Sequence, residues 1–185
     1  SYHNKQSFSL SRRIDPSIYE TNSFLIDKEP TLIEYSAFFG SVQIFNYLLL
    51  NQVNPESSLW LYGIHSNNAE FIHLLERNEI KPNDKTYLEC LKESIKCHHN
   101  DIANYIKDNL MNHESNTQKI AIQHDNYPYF NENLIDEFTF YYLSKNKYSK
   151  IVHLIIKQKQ KDKTEIIVDD EYIQKKDPAT VNKKP

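Results

Sequence analysis

The chain has 185 residues, of which 39% are hydrophobic and 25% charged, enough apolar side chains for a core in one or two small domains. Only two glycines occur, which excludes the glycine-rich phosphate-binding loops, and the formal net charge of −3 argues against nucleic acid as a partner. Every apolar run is shorter than the roughly 18 residues that a membrane-spanning helix needs, so we expect no membrane span.

The cysteine content and the amino terminus bear on the cellular compartment. Cys90 and Cys97 provide no disulfide framework, which favours a reducing compartment. The first residues lack the apolar core of a secretory signal, and they also lack an initiator Met, as a fragment would. The sequence therefore predicts an intracellular protein, cytoplasmic or nuclear, with the reservation that a missing upstream segment could carry a signal.

Residues 1–30 form a polar lead with a partial apolar set, which consists of Ile18, Tyr19, Phe24, Leu25 and Ile26. A stack of repeats needs a cap at its first unit. We expect this segment either to cap the first repeat or to be the divergent end of a further repeat.

Four similar segments follow, at about 31–57, 58–85, 86–111 and 134–156. Each contains a short apolar helix, a turn, and a second helix with apolar residues at i, i+1, i+3 and i+4. This spacing places one apolar stripe on a helix rather than alternating strand faces. The second-helix sets are Ile44/Phe45/Tyr47/Leu48, Phe71/Ile72/Leu74/Leu75, Ile102/Ala103/Tyr105/Ile106 and Ile151/Val152/Leu154/Ile155.

The turn between the two helices falls on Gly40, Asn67, His98 and Lys147 in the four segments. Gly, Asn and His are among the residues that most readily adopt the left-handed conformation that ends a helix. Lys is not, so the fourth segment is the most divergent.

The first segment carries a family resemblance in the run Thr31-Leu-Ile-Glu-Tyr-Ser-Ala-Phe-Phe-Gly40. This run resembles the ankyrin opening T-P-L-H-x-A-A-x-x-G, with Leu in place of Pro and Glu in place of His. The stretch 31–155 is similar to divergent ankyrin proteins of unicellular eukaryotes that carry a domain family of unknown function. The resemblance implies an all-α helix-turn-helix solenoid that binds proteins and has no catalytic residues to carry over.

The spacing of the turns departs from the ankyrin period of about 33 residues. The turn positions lie 27, 31 and 49 residues apart. We therefore expect shortened hairpins between the repeats and an insertion at 112–133. Its aromatic residues Tyr127, Tyr129 and Phe130 could be tucked against the stack or presented to a partner. The charged segment 157–185 is typical of a disordered tail.

The resemblance also implies a binding groove, lined by the residues just before each turn. Phe38 and Phe39 would provide an apolar anchor there, unless the amino-terminal segment covers them. The predicted partner-binding residues are Phe38, Phe39, His65, Ser66, Lys96, Lys145, Asn146, Tyr127, Tyr129 and Phe130.

Two constellations could carry chemistry. Cys97-His98-His99 with Cys90 suggests zinc, but Cys90 and Cys97 are two helical turns apart, so we predict no metal and no cofactor. A Cys-His hydrolase would need His65, Cys97 and a carboxylate within hydrogen-bond reach. We expect instead a non-catalytic protein-interaction module, a scaffold or adaptor, with a regulatory or targeting appendage of a larger enzyme or effector as the alternative.

Overall fold

The computed structural model describes residues 9–15, 17–112, 115–130, 137–145, 147–157 and 159–160. These residues contain helices and one isolated β-bridge, between Arg13 and Thr31, but no strand, so the all-α prediction is confirmed. The chain divides into two compact units, residues 1–130 and 131–185. The α-helices are α1 (Ser23–Lys28), α2 (Leu32–Phe38), α3 (Val42–Leu50), α4 (Leu59–His65), α5 (Ala69–Arg77), α6 (Leu88–Lys96), α7 (Asn100–Tyr105), α8 (Gln118–Gln123) and α9 (Glu137–Lys145).

In the first unit the helices pack in pairs that follow chain order. α2 contacts α3, α4 contacts α5, and α6 contacts α7, which continues as a π-helical turn over Ile106–Leu110. The first helices also contact one another in succession, α2 with α4, α4 with α6 and α6 with α8. Their shared core contains fully buried large side chains, among them Phe45, Trp60, Phe71, Leu91 and Ile95.

The turns between paired helices are left-handed at all four predicted positions, Gly40, Asn67, His98 and Lys147, and also at Asp125. At each of them the backbone N–H bonds the carbonyl oxygen three residues earlier. In four of the five turns the N–H of the following residue bonds the carbonyl five residues back, the double bond of a Schellman motif. The first bond therefore recurs at all five turns, and at the Asn67 turn the N–H of Asn68 bonds the Ser66 hydroxyl in place of the second.

The segment predicted as an insertion, 112–133, contains a further helix and turn in its described part. α8 packs against α6, and the chain turns at Asp125. A 3₁₀ turn over Tyr127–Tyr129 then stands where the other helix pairs have their second helix. Pro128 lies in the first turn of this element, where its missing N–H costs no helical hydrogen bond. The described part of the predicted insertion therefore starts like a repeat, with a helix and a left-handed turn.

Hydrogen bonds join each helix pair to the pair before it, and the donor in each case is the side chain of the residue just after the left-handed turn. The Asn68 amide lies 3.5 Å from the Gly40 carbonyl, and His99 Nδ1 donates to the Ile64 carbonyl at 2.8 Å. Asn126, which is fully buried, donates to the Ile95 carbonyl at 2.7 Å and so continues this pattern into the inserted segment.

Replacing Asn126 by the similarly sized Leu should lower the free energy of unfolding by about 2 kcal/mol, because the buried Ile95 carbonyl loses its donor. The matched control is Asn109→Leu, since the Asn109 amide bonds the Tyr105 carbonyl in an exposed position. There we expect a change below about 0.5 kcal/mol. Urea denaturation followed by circular dichroism measures both, and equal losses would show that 115–130 is not integrated into the core.

The amino-terminal segment packs on the first two pairs through α1. Leu25 is buried in the core, and the Phe24 ring lies 5.0 Å from the ring of Tyr62. The other members of the expected apolar set, Ile18, Tyr19 and Ile26, are exposed. Of the expected set, Phe24 and Leu25 pack on the stack, and Leu10 of the same segment also packs against the core.

The second unit contains α9, the left-handed turn at Lys147 and a helical stretch over 149–157. Leu143 and Ile155 are buried, whereas Leu154, predicted to belong to the apolar stripe, is exposed. This matches the helix-turn-helix predicted at 134–156, of which 134–136 lie outside the described residues. The tail predicted at 157–185 also lies outside them from residue 161 onward.

Candidate functional site

Three side chains meet near the carboxyl ends of α4 and α6, which are the first helices of two neighbouring pairs. His65 is the last residue of α4, and its Nε2 lies 2.9 Å from Glu93 Oε1 on α6. Cys97 Sγ lies 3.7 Å from His65 Nδ1 and 4.0 Å from Glu93 Oε1. Glu93 and Cys97 are four residues apart and so share one face of α6, which packs against α4. We call these three residues the His65 cluster.

Two aromatic rings hold the imidazole of this cluster. The Phe24 ring centroid is 4.0 Å and the Phe38 ring centroid 5.2 Å from that of His65. The side chains of His65 and Glu93 keep only 14% and 16% of their surface exposed. The cluster is therefore a partly buried polar site packed against two aromatic rings.

The charges in the cluster are set by burial and by Lys96. Burial alone would raise the pKa of Glu93, but hydrogen bonds from His65 and Lys96 outweigh it and the pKa is lowered. Burial, followed by the negative charge of Glu93, raises the pKa of Cys97 to about 11. At neutral pH the cluster thus pairs a carboxylate with a protonated thiol.

The cluster meets the distance requirement of the Cys-His hydrolase considered from the sequence, because His65, Cys97 and a carboxylate lie within reach of one another. Its electrostatics oppose that chemistry. A nucleophilic cysteine has a lowered pKa, from a neighbouring positive charge or a helix N-terminus. Cys97 instead lies at the carboxyl end of α6, where burial and then the negative charge of Glu93 raise its pKa.

Phe38 and Phe39 have different environments. The Phe38 ring is half-buried and lies 6.1 Å from that of Phe24, so the amino-terminal segment covers it in part. Phe39 is 57% exposed, with its ring 4.8 Å from that of Tyr35. The covering that the sequence left open therefore applies to Phe38 and not to Phe39.

Two other predicted groove residues have local bonds. The Ser66 hydroxyl donates to the Gly63 carbonyl at 2.6 Å and accepts the Asn68 N–H, which stabilises the turn. Lys96 Nζ lies 3.1 Å from Glu93 Oε1. Ser66 thus has a structural task in the turn, and Lys96 contributes to the electrostatics of the His65 cluster.

In the second unit, Lys145 ends α9 and is exposed, with Nζ 5.9 Å from the centroid of the Tyr141 ring. Asn146 lies outside the described residues. The structure therefore places one of these two predicted residues at a helix end and does not describe the other.

The aromatic residues of the segment 112–133 also divide. Tyr129 packs against the core with its hydroxyl buried, and Phe130 is half-buried. Tyr127 is 51% exposed. Some aromatic residues of this segment are thus packed against the helices, and Tyr127 is exposed to solvent, so each of the two alternatives applies to part of the segment.

An exposed apolar row on α3 was not among the predicted site residues. Ile44, Tyr47 and Leu50 are 55%, 57% and 83% exposed, although the sequence placed Ile44 and Tyr47 on the buried stripe with Phe45. We call these three residues the α3 row. They are spaced three residues apart and so lie on neighbouring parts of the helix surface.

The position of the α3 row within the repeat explains its exposure. Phe71 and Leu74 occupy the equivalent positions in α5 and are buried, with the Phe71 ring 4.9 Å from that of Phe45 on α3. In α7 the equivalent Tyr105 donates its hydroxyl to Glu76 of α5 at 2.8 Å. These positions face the preceding helix pair, and within the described residues α3 has no such pair before it.

No described helix is both long enough and apolar enough to cross a membrane. Comparison of the chain with models of protein families, with curated proteins and with solved structures gives no match. Two features of the first unit remain to suggest a function, the His65 cluster and the α3 row.

Proposed function

We propose that this chain is a protein-interaction module, a scaffold or adaptor built from ankyrin-like helix pairs, and that its α3 row receives an α-helix of the partner. The observation that carries the proposal is the exposure of Ile44, Tyr47 and Leu50 on one helix. Contiguous exposed apolar side chains typically mark binding surfaces, because leaving them in water forgoes the free energy of burial.

The repeat itself suggests the shape of the partner. The positions of Ile44 and Tyr47 in α5 and α7 pack against a helix of the preceding pair. A helix with apolar residues at i, i+3 and i+4 would fill the same space against α3. Tyr47 can also bond a polar group through its hydroxyl, which is one reason that Tyr is frequent among binding hot spots.

A second contact is consistent with the groove expected from the ankyrin resemblance. Phe39, at the end of α2, exposes more than half of its surface, and Tyr127 exposes about as much. Phe39 supports this groove better than Phe38, which α1 partly covers. The raised pKa of Cys97 argues against a nucleophilic role for this thiol.

Site-specific photo-crosslinking tests this proposal. With p-benzoylphenylalanine at position 47 of the full chain, we expect a cross-link to one dominant protein, mapped to a helical segment of it. The matched control carries the same group at Glu70, which is exposed on α5 but lies outside the row. Ile44→Asp should then weaken binding of that protein by about 2 kcal/mol, close to 30-fold in Kd, and Glu70→Ala should leave it unchanged.

Two results would contradict the proposal. Equal cross-linking from positions 47 and 70 would mean that the row is not a preferred surface. An unchanged Kd for Ile44→Asp would mean that the captured protein binds elsewhere. A cross-link to a second copy of the chain would identify the partner as the chain itself.

A further inference from the structure

We propose that the His65 cluster is a zinc site, in which His65 Nε2, Glu93 Oε1 and Cys97 Sγ bind one Zn²⁺ and water completes the coordination. Within the described residues, these are the side chains whose ligand atoms converge, all lying within 4.8 Å of one another. The inference is independent of the α3 row, so either proposal can fail without the other.

The distances match a tetrahedral site after a small adjustment. With bonds of about 2.0 Å to nitrogen and oxygen and about 2.3 Å to sulfur, two ligands of one tetrahedral zinc ion lie roughly 3.3–3.5 Å apart. Here Nε2 and Oε1 are 2.9 Å apart, Sγ and Nε2 3.9 Å, and Sγ and Oε1 4.0 Å. Each separation needs to change by about half an ångström, which side-chain rotation can supply without moving a helix.

The donor set also selects the metal. An imidazole, a carboxylate and a thiolate together suit Zn²⁺, whereas Mg²⁺ and Ca²⁺ prefer oxygen ligands alone. Three protein ligands with one position left for water is a common zinc arrangement. The ligands also sit on or next to helices, Glu93 within α6, Cys97 at its C-cap and His65 at the end of α4, and the rings of Phe24 and Phe38 orient the imidazole.

Binding exchanges protons and one hydrogen bond but changes no oxidation state. The Nε2···Oε1 contact is replaced by two metal bonds, and the neutral imidazole carries its proton on Nδ1. The Cys97 thiol releases its proton to solvent as the sulfur binds. Lys96 Nζ, now 3.1 Å from Oε1 and 3.3 Å from Oε2, keeps Oε2 as its partner.

Cobalt(II) titration of the metal-free full chain tests the site, because Co²⁺ replaces zinc and reports thiolate bonding through a sulfur-to-cobalt charge-transfer band. We expect one equivalent to bind with that band and to be displaced by Zn²⁺. Cys97→Ser should abolish the band, and both Cys97→Ser and His65→Gln should weaken binding by about 100-fold or more. Cys90→Ser should change neither, since Cys90 lies in the core.

Two further variants distinguish this ligand set from its neighbours. His98→Gln should leave affinity unchanged, because His98 Nε2 donates to the His124 carbonyl. Lys96→Gln should tighten binding by about fivefold, because it removes a positive charge next to Oε1. Circular dichroism and urea unfolding show that each variant is folded before its titration is interpreted.

The proposal is overturned if the wild-type chain gives no charge-transfer band, or if Cys97→Ser binds cobalt as tightly as the wild type. A loss for His98→Gln as large as for His65→Gln would assign the metal to the adjacent Cys97-His98 pair and overturn the ligand set. An unchanged affinity for folded Lys96→Gln would remove Glu93 Oε1 from it.

Discussion

Alanine at Phe71 should lower the free energy of unfolding by about 3–5 kcal/mol, whereas alanine at Ile44 should lower it by less than about 0.5 kcal/mol. The two residues occupy the same position of successive repeats. Phe71 is fully buried, and its ring contacts Phe45 and lies close to Gly63, so its removal leaves a cavity. Ile44 is mostly exposed, and its truncation leaves none.

Urea denaturation of both variants, followed by circular dichroism, measures this difference. Phe71→Leu is a useful intermediate, since it keeps part of the volume and should cost less than alanine. If Ile44→Ala costs as much as Phe71→Ala, then α3 is covered in solution by another segment or molecule, and the α3 row is not a free surface.

Alanine at Trp60 should be as severe, at about 4–5 kcal/mol. This single tryptophan is fully buried, its indole N–H donates to the Ile80 carbonyl at 2.7 Å, and its ring lies 5.0 Å from that of Tyr87. Alanine removes the packing and also leaves the Ile80 carbonyl without its donor.

Trp60→Phe separates these two contributions, because it retains an aromatic ring and loses only the donor and part of the volume. We expect a loss of about 2 kcal/mol for it, near half the effect of alanine. Because both substitutions remove the only tryptophan, circular dichroism or calorimetry replaces fluorescence as the probe. Similar small losses for both variants would mean that the connector at Ile80 does not depend on this contact.

The His65 cluster and the α3 row would serve a protein-binding scaffold in different ways. The α3 row offers apolar area to a partner. Metal binding at the cluster would instead link α4 to α6 and stabilise the packing of these two helices. Zinc should therefore raise the resistance of the first unit to urea, through the linkage between binding and folding.

Features that depend on residues close together in the chain could be predicted from the amino-acid order. The spacing of apolar residues predicted the helices, and the residues Gly40, Asn67 and His98 predicted the left-handed turns, because turn closure is a matter of local backbone conformation. The sequence pattern did not reveal a repeat in the inserted segment, because α8 is short and a 3₁₀ turn stands in place of the second helix, so the second apolar stripe is missing.

The contacts of each repeat position, in contrast, depend on how the helix pairs pack. Ile44 and Phe71 have the same place in the pattern, but only Phe71 has a helix pair packed before it, so burial depends on neighbours that periodicity does not reveal. Glu93 was not a candidate, because its approach to His65 joins residues 28 apart and requires α4 to pack against α6. Long-range packing therefore assembled the site, and local pattern supplied only its parts.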